Sequence, residues 1–254
     1  ALLQGNIAVT RAYTHERLQI YRRLGNPRYL AITLEQLGCA AVEEGDYERG
    51  IPWLEECQTL WMAQDSRSGV ASTRLIIGMA ELAQGKATSA LARFQQAYDE
   101  FDSIQHSHGL AWSLRNLALA QLALGQIPQA QFSLYRTFER YAALRGSETS
   151  AAVVVEAVAG IATRLGQHHL AAHLMGAASV AREQAGLPIT ENSRQIYERM
   201  LAPSKKALGI VGWEQAVAVG KSLPWSEAVA SARALLAPQM TPHSNRRRTS
   251  KSKR

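Results

Sequence analysis

Residues 70–101, VASTRLIIGMAELAQGKATSALARFQQAYDEF, decide how the chain folds. Apolar residues recur there at three- and four-residue steps on both sides of Gly85, and the short polar turn GKATS follows that glycine. Such steps place the apolar side chains on one face of a helix. A glycine just past a helix suits the left-handed position that ends it. The stretch therefore predicts two helices joined by a tight turn. Moving outward reproduces it: Gly5, Gly45, Gly85, Gly125 and Gly166 each end an apolar run, at spacings of 40, 40, 40 and 41.

Other columns keep step with those glycines. Eight residues before them stand Leu37, Ile77, Leu117 and Val158, and seven before stand the small residues Gly38, Gly78, Ala118 and Ala159. Five residues after come Gly50, Ala90, Ala130 and Ala171, and nine after come Leu54, Phe94, Leu134 and Met175. Sixteen after, an aromatic recurs at Tyr21, Trp61, Phe101 and Tyr141, and the fifth unit has Arg182 instead. Small residues at fixed points let paired helices approach, while the large residues opposite fill the space between units. One such hairpin cannot bury its own apolar face, so neighbours must stack.

The columns resemble the tetratricopeptide repeat. Leu37-Gly38, Ile77-Gly78 and Leu117-Ala118 stand where its first helix has a Leu-Gly pair. Gly50, Leu54 and Cys57, then Ala90, Phe94 and Ala97, then Ala130, Leu134 and Thr137 stand where its second helix has Ala, Phe and Ala. That family repeats at 34 residues. The period of 40 here implies helices longer by nearly one turn.

Long-period repeats of this kind are similar to the helical region of large bacterial signal-transduction ATPases, including LuxR-type transcription activators. Residues 173–178 (HLMGAA), 182–188 (REQAGLP), 194–199 (RQIYER) and 225–230 (WSEAVA) carry this likeness. The resemblance implies a cytoplasmic, superhelical sensor or partner-binding portion of a STAND-type signalling ATPase or regulator, with a role in signal transduction and transcription regulation. The opening, Ala1-Leu2-Leu3-Gln4-Gly5, reads as the end of a helix, so the chain is expected to be a piece of a longer protein.

The expected fold is all-α: a right-handed superhelical solenoid of tetratricopeptide-like hairpins over residues 1–186, capping helices over 187–237 and a disordered basic tail over 238–254. Pro188, Pro203 and Pro224 are expected to mark breaks in the closing region. Composition fits a packed helical body, with 46% hydrophobic and 19% charged residues among 254. The net charge of +7 is concentrated at the end: residues 245–254 carry six positive charges and no negative one, and residues 1–244 have a net of +1. An alternative function follows from that end, a free-standing adaptor whose tail contacts nucleic acid by counterion release. No aromatic is present there for base stacking.

Local motifs for chemistry are weak. Gly220-Lys221-Ser222 lacks the glycine and strand of a phosphate loop, Gln215 standing where that glycine is needed, and reads as a helix end. His169 and His173 share a helix face, but the run HLAAH lacks the glutamate of a zinc protease motif. His106 and His108 read as solvated turn residues, and Cys39 and Cys57 as small packing residues. No catalysis, cofactor, metal or membrane partner is expected. The remaining surface is the groove. In tetratricopeptide arrays the first helix of each unit lines the concave face, which here places Ile32, Glu35, Gln36, Ser72, Leu75, Trp112, Arg115, Asn116 and Glu156 there. The expected occupant is an apolar helix or extended protein segment, or an intramolecular surface of the parent protein.

Overall fold

The computed structural model describes residues 13–14, 16–143 and 148–237. Gly5 and the basic tail of residues 238–254 lie outside the described residues. After a helical segment α1 (residues 16–24) come α2 (Pro27–Glu43), α3 (Tyr47–Ala63), α4 (Arg67–Ala83), α5 (Ala87–Ser103), α6 (Ser107–Ala123), α7 (Ile127–Ala143), α8 (Glu148–Arg164) and α9 (His168–Gln184). Then follow α10 (Glu191–Ser222) and α11 (Trp225–Leu236). The helices α2 to α9 are each 17 residues long, and each packs on the next. The fold is an all-α, tetratricopeptide-like solenoid.

Both kinds of turn have a local cause. Within hairpins, Gly45, Gly85, Gly125 and Gly166 take φ of 82°, 84°, 75° and 73°, the left-handed region where a side chain is costly. Between hairpins, the same conformation falls on Gly25, Asp65 and Gln105, with φ of 63°, 52° and 52°. A left-handed turn therefore recurs every 20 residues from Gly25 to Gly125, and two of these six turns are hidden in the sequence because Asp and Gln occupy them. Caps complete the turns. The Asn26, Asp46 and Ser66 side chains accept from the backbone N–H three residues on. His106 does the same through Nδ1, 3.0 Å from Gly109 N, with its ring stacked on Phe101 at 5.1 Å. It is thus a helix cap rather than a free turn residue, whereas His108 lies exposed in α6.

The columns explain the packing. A Cβ on Gly38 would stand 2.5 Å from Leu54 Cγ, and one on Gly78 would stand 2.6 Å from Phe94 Cε1. The hairpins close around these glycines. Between hairpins, Trp61 lies against Gly69 and Phe101 against Gly109, where an added Cβ would meet the rings at 2.5 and 2.4 Å. Repeating that eight-residue step, Tyr21 meets Tyr29 rather than a glycine, and the rings stack 5.2 Å apart.

The closing region departs from expectation in one respect. Pro203 does not interrupt α10; the break falls at Gly209, whose φ of 68° and ψ of 170° are non-helical. Proline removes one hydrogen bond, a loss a long helix absorbs, while that backbone conformation is readily open to glycine alone. Beyond the break α10 packs closely on α9. A Cβ on Gly220 would lie 2.1 Å from His173 O, and one on Gly176 would lie 2.2 Å from Val217 O. Helix α11 packs on α7, α8 and α9.

Candidate functional site

In tetratricopeptide arrays the first helices of the hairpins, here α2, α4, α6 and α8, line the concave face. The nine residues expected to line a groove there fall in two classes of burial. Ile32, Glu35, Ser72 and Trp112 are half-buried and Gln36 is exposed. Leu75, Arg115, Asn116 and Glu156 are buried, at 0%, 7%, 0% and 1% exposure.

Two of the buried class, Arg115 and Glu156, meet Tyr197 of α10. Helix α10 packs on α2, α4 and α8 as well as on α9. At its start, the Tyr47 hydroxyl lies 3.0 Å from Gln195 Oε1 and 3.2 Å from Asn192 Oδ1. Further on, the Arg199 guanidinium donates to the carbonyls of Leu82 and Ala83 in the last turn of α4. At its far end, Ser204 Oγ sits 2.9 Å from both Thr163 Oγ1 and His168 Nδ1. Sequence periodicity carried no signal for these contacts, which join residues more than 100 positions apart at α3 and α4.

Between α6 and α8 the polar contacts become a network. Arg115 Nη2 donates to the Tyr197 hydroxyl at 2.7 Å, and that hydroxyl donates to Glu156 Oε2 at 2.7 Å. Arg182 holds the same carboxylate through two nitrogens, at 2.5 Å to Oε1 and 3.0 Å to Oε2. Arg115 also donates to Val153 O at 3.3 Å. Burial pushes the Tyr197 phenol up to about 12. This cluster lies where the aromatic column gives way to Arg182. That exception was the one visible mark of it in the sequence.

Near α2 and α4 the face is more open. Glu35, Ser72, Arg28 and Trp61 line a depression of about 380 Å³. Burial raises the Glu35 carboxyl above its usual range, and the neighbouring Trp61 counters part of that rise.

Burial pushes both the Cys39 and Cys57 thiols up to about 12, which suppresses the thiolate. His169 and His173 do share a face, with ring centroids 6.4 Å apart, but among the described residues no group of three His, Cys, Asp or Glu is placed to hold a metal ion. Gly220-Lys221-Ser222 is the end of α10. No described helix is long and apolar enough to cross a membrane.

The geometry defines a helical repeat protein. Residues 69–143 match the tetratricopeptide repeat family. That match and the all-helical repeat together support the tetratricopeptide reading of the array. No curated protein matches the chain. Tetratricopeptide repeats imply protein–protein interaction at a general level.

Proposed function

We propose that the chain is a non-catalytic protein-interaction and sensing module, in which residues 1–186 form the repeat array and 187–237 close it. Its open surface is the stretch of concave face around Ile32, Glu35, Gln36 and Ser72. The observation that carries this reading is α10, a helix laid across the ends of the hairpins that reaches the shared face at Arg115 and Glu156 through Tyr197. It is also held at the start of α3 by Tyr47 and at the end of α4 by the carbonyls of Leu82 and Ala83. A partner helix or extended segment would use the uncovered part of this track, with Trp112 and Ile32 supplying apolar contact and Glu35 and Gln36 polar contact. In the context suggested by the resemblance of residues 173–230, the partner is another domain of a bacterial signalling ATPase or LuxR-type regulator.

Site-specific photocrosslinking in cells tests this. A benzophenone amino acid at Gln36 or Ser72 should capture a protein segment, from the parent protein or another chain. The same group at Thr88 or Gln129, exposed on second helices of the hairpins, is the control. Equal crosslinking at all four positions would refute the proposal.

A further inference from the structure

Where α10 passes the ends of α4, α6 and α8 it walls a cavity of about 240 Å³. Leu82, Leu119, Leu122, Ile196 and Met200 line it, so its interior is mainly aliphatic. Two cations, Arg164 and Arg199, also border it, and both are solvent-exposed. Each touches a helix end: Arg164 Nη2 donates to Leu122 O at 2.9 Å, and Arg199 Nη1 donates to the carbonyls of Leu82 and Ala83. Among the described residues neither guanidinium takes part in an ion pair. A guanidinium carries five N–H donors, so most of theirs are uncommitted.

An aliphatic cavity with two unpaired guanidiniums at its edge selects for a ligand with matching halves. We propose that it binds a small aliphatic monocarboxylate, its chain among Leu119, Leu122 and Met200 and its carboxylate at Arg164 and Arg199. Burial favours the chain, and charge-assisted hydrogen bonds favour the head. Volume limits the size: with about 30 Å³ per water-sized group, 240 Å³ holds a ligand of about eight non-hydrogen atoms. Hexanoate has that size. A phosphate ion would satisfy the cations and leave the cavity unfilled. An α-amino acid would bring an ammonium toward two positive charges.

Ile196 and Met200 belong to α10, whereas Leu82, Leu119 and Leu122 belong to the array. The ligand would therefore fasten α10 to α4 and α6, and stabilise the chain by linkage. This site does not depend on the protein-binding reading above.

The test is titration of the whole chain with hexanoate, followed by the methyl resonance of Met200. Hexanoate should shift it saturably, and hexan-1-ol should bind about tenfold more weakly, the expected loss of a charge-assisted contact. Arg164→Ala should weaken hexanoate binding by a similar factor while leaving hexan-1-ol unaffected. Ala123→Phe, at an exposed position on the cavity edge, should block both ligands with the helical circular dichroism unchanged. Equal binding of hexanoate and hexan-1-ol, no saturable shift at millimolar hexanoate, or undiminished binding by the Ala123→Phe chain would each overturn the proposal.

Discussion

The joints between hairpins are built in two ways. At α3–α4 and α5–α6 an aromatic ring lies on a glycine, Trp61 on Gly69 and Phe101 on Gly109, and the contact is apolar. After the last hairpin, at α9–α10, the corresponding column holds Arg182, and the contact is an ionic network with Glu156 of α8, Tyr197 of α10 and Arg115 of α6. The same two-helix unit serves both. The difference is that an apolar joint closes by shape alone, whereas the ionic one needs Glu156 from α8 and Arg115 from α6 to complete its hydrogen bonds. An array can thus be locally self-sufficient in one region and dependent on a distant helix in another.

The largest expected effect follows from breaking the ionic joint. Glu156→Ala leaves the half-buried Arg182 guanidinium and the buried Tyr197 phenol without their shared acceptor, and should cost about 3–5 kcal/mol, read by chemical denaturation. At the apolar joint, Gly109→Ala forces a methyl toward the Phe101 ring and should cost about 1–3 kcal/mol, with α5–α6 losing hydrogen-exchange protection first. Alkaline titration separates the two joints further. Burial raises Tyr197 from an ordinary value of about 10 to about 12. Its contribution to stability is therefore complete below the unfolded value and is lost as pH rises through the folded one. Exchange protection should fall in α8 and α10 over that window before it falls in α3–α5, and Tyr197→Phe should flatten the response. The smallest effect has the opposite sign. Asp65→Gly relieves a side chain held at φ 52° and should stabilise the α3–α4 turn by about 1 kcal/mol or less, seen as a small rise in Tm.

The sequence exposed the array because its causes are local. Gly45 and Gly85 mark turns by backbone freedom, and Gly38 and Gly78 mark close helix contact, each repeating at the period of 40. Asp65 and Gln105 concealed the other turns, since neither residue type announces a left-handed backbone. The site was harder to read. The resemblance to tetratricopeptide arrays assigned Arg115 and Glu156 to the expected groove, yet the side chain that they meet lies 82 and 41 residues away, at Tyr197. Hydrogen bonds over such separations leave no periodic trace. Pro203 misled for a related reason: a lost donor can be absorbed by surrounding contacts that a single chain of letters does not display.

The path of α10 has a consequence for how the molecule comes apart. Stacked repeats ordinarily behave as a row of nearest neighbours, able to fray from either end with little cooperation between distant members. Tyr47 bonding to residues 145 and 148 positions further along removes that independence. The helix acts as a strap, so melting should approach an all-or-none event, and refolding should await its late-synthesised closure, as for chains of high contact order.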